Sequence, residues 1–362
     1  MSKIYTCEQV SRGHVDKICD QISDAIVTDC LRHDRNSRVA VECLMKGNNV
    51  VIAGEITSSH EPDYAGLVCR VFSKIGIDGF FDKVNVRTLI TKQSADIALG
   101  VDKGGAGDQG IMYGYATNET PEMLPIPFAV ATRFIHMLED CSSPMLLPDA
   151  KAQVSYDYET GRITTFLCSV QHTEDCDVED IRPVIESLMI LTASEYGLNT
   201  DFEKLINPTG RFVIGGSQAD SGVTGRKLAC DTYGGIGHIG GGAFSGKDPS
   251  KVDRSAAYMA RKIARDLVSA GYCDKCEVQI AYAIGKAEPV SVAVDTFGTA
   301  FVCPSCIDRY VLTNYDLTPA GIISQLHLLD VDYNMVSAGG HFGDNGMPWE
   351  LDDEEVEDFF GE

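Results

Sequence analysis

The stretch Gly240-Gly241-Gly242-Ala243-Phe244-Ser245-Gly246-Lys247-Asp248-Pro249-Ser250-Lys251-Val252-Asp253 joins a glycine run to two lysines and two aspartates at the start of a helical pattern. Glycines let backbone approach a ligand closely. Helix starts carry unpaired N–H groups and partial positive charge, so they hold anions. Asp248 suits the N-cap and Pro249 the first helical position. Val252, Ala256, Met259, Ala260, Ile263 and Leu267 then recur at helical spacing, and Gly271 is a C-terminal stop signal. Lys251 thus falls in the first turn, where a cation opposes the helix dipole. A bound anion accounts for that lysine, and fold stability does not. Asp253, two residues on, can hold a cation bridging the same anion. The chemistry this describes is the binding of a polyphosphate.

Two shorter motifs overlap the stretch. Gly241 to Lys247 fits G-x-x-x-x-G-K, but Asp248 stands where a phosphate loop has the Ser or Thr that ligates Mg²⁺, and no apolar strand leads into it. Gly235 to Gly240 fits G-x-G-x-x-G, but more glycine follows instead of a helix, which argues against a dinucleotide fold.

The elements that must position this stretch form three runs. The first has a helix over 14–31, strands over Arg38–Leu44 and Asn49–Ile56 around a Gly47-Asn48-Asn49 turn, a helix near 62–76 and a strand near 84–92. Residues 93–110 read as a long glycine-rich loop, which is usually functional or mobile. The second run has a helix near 127–139, strands near 151–157 and 162–170, and a helix near 178–196. The third has the opening motif and its helix, strands near 276–284 and 289–296, and helices near 304–314 and 319–329. The reading is an α+β architecture in layers, without a visible sequence repeat.

The chain has 362 residues, enough for two or three domains, and a formal net charge of -23. That charge argues against nucleic-acid binding by a general basic face. Residues 350–362 carry eight acids and no base, which reads as a solvated tail. Against this background His14/Lys17, Lys151, Arg226/Lys227 and Lys247/Lys251 stand out as clustered cations. No signal peptide or membrane-length apolar run is present in the sequence, so a cytoplasmic location is expected. The thirteen cysteines then read as mostly reduced. Cys273-x-x-Cys276 and Cys303-x-x-Cys306 are either ordinary thiols or, together, a four-cysteine zinc site.

Several motifs in order resemble one family. Gly13-His14-Val15-Asp16-Lys17 resembles the G-H-P-D-K start of S-adenosylmethionine synthetases. Gly105-Ala106-Gly107-Asp108-Gln109-Gly110 is similar to their ATP-associated loop, and Gly240–Asp253 to their glycine-rich phosphate motif. Asp149-Ala150-Lys151, Asn207–Phe212, Thr224-Gly225-Arg226-Lys227, Asp231–Gly235 and Gly340–Gly343 add to the match, which spans nearly the whole chain. Departures include Val15 for proline, Arg12 for an acid, Leu147 for an arginine, and a loop over Val101–Gly107 shorter than is usual.

The resemblance implies three similar α+β domains around a pseudo-threefold axis, at 1–99, 104–217 and 218–350, followed by the tail 351–362. It implies that methionine sulfur attacks C5′ of ATP. The triphosphate leaves and is hydrolysed to phosphate and diphosphate. By the same resemblance His14 assists departure of the triphosphate, and Lys151, Arg226, Lys227, Lys247 and Lys251 contact the phosphate chain. Phe212 stacks on adenine, Asp108 binds the ribose, and Asp149, Arg211 and Asp220 also face ATP. Glu55, Gln93, Asp220, Lys251 and Ile284 position methionine. Asp16 and Asp253 hold Mg²⁺, two ions per site, and Glu42 holds an activating K⁺. A homodimer with shared active sites, in some members paired into a tetramer, is implied as well. In it Glu42, Glu55 and Asp108 come from the subunit opposite the one giving Lys247 and Lys251. No nucleic-acid or membrane partner is implied.

Overall fold

A computed structural model describes residues 3–77, 79, 83–93, 105–343, 346–352 and 355–356. The chain runs β1 (Ile4–Val10), α1 (Val15–His33), β2 (Arg38–Lys46), β3 (Asn49–Thr57), α2 (Tyr64–Ile75) and β4 (Asn85–Thr91). It continues with β5 (Gly110–Thr117), α3 (Ile126–Asp140), β6 (Leu146–Asp157), β7 (Arg162–His172), α4 (Val178–Glu195) and β8 (Glu203–Ile206). Then come β9 (Gly222–Val223), α5 (Val252–Ser269), β10 (Lys275–Tyr282), β11 (Ser291–Asp295), α6 (Pro304–Asn314) and α7 (Pro319–Gln325), with short helical turns at Gly216–Ala219 and Leu228–Asp231.

This order is one pattern played three times: a strand, a long helix, an antiparallel hairpin, then a helix. In the first two rounds a strand parallel to the hairpin closes the unit, β4 beside β3 and β8 beside β7. The leading strand never joins its own hairpin. β1 pairs with β6, β5 with β10, and β9 with β2, so each round lends a strand to the next in a closed ring. The resulting sheets run β1-β6-β7-β8, β11-β10-β5 and β4-β3-β2-β9. Each long helix covers a hairpin sheet: α1 on β2 and β9, α3 on β6 and β1, α5 on β5 and β10. This is the pseudo-threefold α+β fold, and the exchange joins the three units through shared sheets.

The hairpin strands alternate buried and exposed residues as half-covered sheets must. Sheet β1-β6-β7-β8 with α3 and α4 has its own core, including Phe134, Phe166, Ile181, Ile185 and Met189. The other two sheets share one continuous core. Buried ions pin the long helices. Lys17 on α1 meets Asp231 at 2.5 Å and Asp20 at 3.1 Å. Arg254 on α5 meets Asp24 on α1 at 2.6 Å, and Arg261 meets Glu350. No helix of the described residues is long and apolar enough to cross a membrane. The family-derived gating loop falls largely at 94–104, outside the described residues, as does most of the acidic tail.

One expectation is corrected here. α5 starts at Val252 with Lys251 as its N-cap, so Asp248 is not the cap. The Asp248 carboxylate is spent elsewhere: Oδ2 accepts the Val39 N–H of β2 at 2.7 Å and Oδ1 the Ser250 N–H at 2.9 Å. Gly271 does follow the helix in the left-handed region, φ 71°, as the stop signal implies.

Candidate active site

The Lys247 segment is stitched to the edge of β2. Val41 N–H donates to Gly246 O, Asp248 N–H donates to Val39 O, and Lys247 sits opposite Ala40. Gly246 is required for this: a Cβ there would lie 1.9 Å from Val41 O, and its φ is +85°. Alternation along β2 puts Arg38, Ala40 and Glu42 on the open face. Register puts Glu55 opposite Ala40 and Ala53 opposite Glu42. One cavity is therefore lined by Arg38, Glu55, Gln93, Asp108, Lys247, Lys251 and Asp253. A second, beside it, is lined by Glu42, Glu55, Ser245 and Lys247. Asp253 is tucked under the glycine run, where a Cβ on Gly242 would lie 2.1 Å from its Cγ. Ile284 adjoins Gly285, whose N–H donates to Ala106 O, so it lies beside the loop that carries Asp108.

A different group forms at the N-terminus of α1. β9 delivers the Val223 N–H to Asp16 Oδ1 at 2.9 Å, while Lys227 Nζ reaches Asp16 Oδ2 at 2.6 Å. Arg226 stands 3.8 Å from the same carboxylate. Ser11 bonds the β6 backbone at Pro148 and Ala150, which brings Lys151 and Asp149 up to His14. Asp149 Oδ2 accepts the Gly216 N–H at 2.7 Å. Phe212 is half-buried, its N–H donating to His172 Nε2. Arg211 is turned to the surface in an exposed ion pair with Glu174.

Electrostatics separate the roles within this group. His14 is buried and its pKa is pushed down to about 4, first by burial and then by Lys227 and Lys151, with Asp16 and Asp220 opposing. It is neutral at physiological pH. Its Nδ1 accepts the Asp16 N–H at 3.1 Å, so Nε2 carries the proton and is a donor. Burial alone would raise the Asp16 pKa, but the Lys227 and Val223 hydrogen bonds outweigh it and hold Asp16 ionised. Burial raises Asp149, only partly offset by the Gly216 N–H and Lys151.

The three parts of the chain match three family models in order. These are the N-terminal domain of S-adenosylmethionine synthetase over residues 2–95, its central domain over 103–212 and its C-terminal domain over 214–351. The chain belongs to the S-adenosylmethionine synthetase family. It is 45% identical over 367 residues to the S-adenosylmethionine synthase of Mesoplasma florum, covering 97% of both chains. It is 46% identical over 376 residues to that of Akkermansia muciniphila, covering 97% of this chain and 95% of the relative. The Desulforudis audaxviator synthase is 45% identical over 383 residues, covering 98% and 97%.

Seen as a synthetase, the chain distributes its site residues in an unexpected way. Glu55, Asp108, Lys247 and Lys251 line one cavity of one chain, with Glu42 in the adjoining one. The expectation that the three acids lie across a subunit boundary from the two lysines is therefore wrong: the Lys247 segment pairs with the same strand, β2, that bears Glu42. Asp16 and Asp253, the two expected Mg²⁺ ligands, fall in different groups. No hydrogen bond or ion pair joins the two groups among the described residues. Arg38 and Ser245 escaped the sequence reading, although period-two alternation already set Arg38 on the Glu42 face. The zinc alternative gains nothing: Cys273 and Cys276 are buried, Cys303 and Cys306 are exposed, and no metal-like cluster among the described residues includes a cysteine.

The His14 state gives a direct prediction. Its folded pKa lies below the unfolded value, so the unfolded chain binds more protons between them. The His14 contribution to stability is complete above pH 6.5 and is lost as pH falls toward 4. An NMR titration of the His14 ring should show no ionisation near 6.5; a midpoint there would overturn the assignment.

Proposed function

We propose that this chain makes S-adenosylmethionine, with methionine sulfur attacking C5′ of ATP and the triphosphate leaving as one unit. The observation that carries this reading is that three of the four lysines aimed at the phosphates are each held by a carboxylate. Lys227 is on Asp16, Lys247 is on Asp253 at 2.6 Å, and Lys251 is on the buried Asp248. Such pairs keep cations in place until a polyanion arrives. The lysines then turn to phosphate oxygens, and Asp16 and Asp253 are released as hard oxygen donors, the type that suits Mg²⁺. Mg²⁺ bound there, two ions per site, would neutralise charge on the leaving triphosphate.

The chemistry asks little else of the protein. A thioether is already a competent nucleophile, and neutral His14 is a poor base. It acts instead as an Nε2–H donor to the departing oxygen. Lys151, Arg226 and Lys227 hold the phosphate chain from one side, and Lys247 and Lys251 from the other. They retain the triphosphate while water cleaves it to phosphate and diphosphate. Phe212 covers the adenine, Asp108 takes the ribose, and Glu55, Gln93, Asp220 and Ile284 frame methionine.

The separate groups assemble if two copies face each other, the α1 group of one chain meeting the β2 group of its partner. That arrangement is a homodimer with two shared sites, open to pairing into a tetramer. K⁺ fits beside Glu42. Ser245 Oγ in the same cavity is buried without a hydrogen-bond partner among the described residues, and such an atom needs one. Ser245→Ala should lose K⁺ stimulation and keep its Mg²⁺ dependence, read as rate against each cation. Unchanged K⁺ stimulation would remove Ser245 from the ion site.

The function itself is tested by incubating the protein with ATP, methionine, Mg²⁺ and K⁺ and measuring product by mass spectrometry. S-adenosylmethionine with equimolar phosphate and diphosphate is expected. Its absence at saturating substrates would falsify the reading.

A further inference from the structure

The opposite end of α1 carries a group the synthetase chemistry does not use. Asp29 and His33 lie one turn apart on α1, and His60 comes over from the loop after β3. One ligand atom from each lies within 4.8 Å of the other two. The two imidazoles stack at 3.9 Å between centroids, tilted by 15°. His60 Nε2 is 2.7 Å from Asp29 Oδ2. His33 Nδ1 is 2.8 Å from the Asp29 carbonyl oxygen and 3.9 Å from its Oδ1.

We propose that Asp29, His33 and His60 form a binding site for a divalent transition metal such as Zn²⁺, Co²⁺ or Ni²⁺. Two imidazole nitrogens and one carboxylate oxygen suit these ions and not Mg²⁺. Hydrogen bonding already orients the ligands. Donation from His33 Nδ1–H to a backbone carbonyl fixes the ring and leaves the Nε2 lone pair open, the arrangement ligating histidines usually adopt. The proton between His60 and Asp29 occupies a place a metal can take.

The loop is held ready. Ser59 gives its N–H and hydroxyl to Asp34 at 2.8 and 2.9 Å, Ser37 bonds Ser58 at 2.8 Å, and Ser58 Oγ accepts the His60 N–H. The C-terminal end of α1 is the negative pole of its dipole, which favours a cation. All three ligands reach solvent. Asp29 and His33 lie well beyond Asp16 on α1, so this group is about 20–26 Å along the helix from it. A metal here would not replace the active-site cations. It would staple the end of α1 to the β3 loop.

The test titrates the full-length protein with Co²⁺ under excess Mg²⁺, following visible absorption. One equivalent per chain is expected, without sulfur charge-transfer bands. His60→Ala and His33→Ala should each weaken it at least tenfold. His33 is exposed enough to be replaced without disturbing packing. Zn²⁺ should raise the Tm of the unaltered protein and not that of His60→Ala. A Cys303→Ser/Cys306→Ser variant should bind normally. Co²⁺ binding that survives both histidine replacements, or that is lost with those cysteines, overturns the proposal.

Discussion

Replacing Lys151 by alanine is expected to lower kcat about 100- to 1,000-fold, the usual consequence of removing one donor aimed at developing charge. The barrier in this reaction lies in the leaving group. Lys151 stands on the open face of β6 beside His14, close enough to depress its pKa, and no carboxylate among the described residues bonds it. The loss should appear in kcat more than in KM, because charge grows on the triphosphate as the bond breaks. Asp253→Ala should cost at least as much, since it removes the proposed Mg²⁺ ligand and frees Lys247 from its partner. Neither residue belongs to the core, so circular dichroism and Tm should stay within normal surface-substitution limits. Near-normal turnover in either variant would withdraw its role.

The second large effect concerns stability. Arg261 is fully buried on α5 and every N–H it has is used. Two go to the Glu350 carboxylate, two to Tyr115 O and Met123 O, and one to Glu122 O. Arg261→Leu leaves buried Glu350 with only Arg265, 3.7 Å away, as a counter-ion and takes a donor from three carbonyls. The expected loss is about 3–5 kcal/mol, the range for breaking one side of a buried pair. Arg261→Lys should recover only part, because an ammonium cannot supply five planar donors. Arg261→Leu/Glu350→Leu should be less unstable than Arg261→Leu alone. Urea unfolding measures all three; a loss below about 1 kcal/mol for Arg261→Leu would show that the buried pair contributes little.

These outcomes bear on what could be read from residues alone. The hairpins and the long helices were legible because their periodicity is local. α1, β2, β3, α3, β6, β7, α4 and α5 all lie close to their expected places. The strands β1, β5 and β9 were not read. β9 is two residues long, and β1 pairs with β6 across some 140 positions, a partnership no local pattern encodes. Those are the strands that close the ring, so the threefold order stayed invisible in the residues and came only through resemblance. Asp248 was misread for a related reason. Asp-Pro-Ser-Lys has the look of a helix start, but a β2 amide took the carboxylate first, a tertiary contact overriding a local one. The candidate site residues were picked out as motifs in family order. Their division into an α1 group and a β2 group was not, because it depends on the Lys247 segment docking against Ala40.

That division makes the sharpest test. Lys151→Ala alters only the α1 group and Asp253→Ala only the β2 group. Each variant alone should be nearly inactive. If sites form between copies, mixing the two with exchange of subunits creates hybrid dimers in which one of the two sites is intact. The mixture should then regain about one quarter of the unaltered protein's S-adenosylmethionine synthesis, as random pairing in a twofold dimer requires. A mixture with demonstrated subunit exchange that stays as inactive as its parents would contradict the account, because each site would then be built within a single chain.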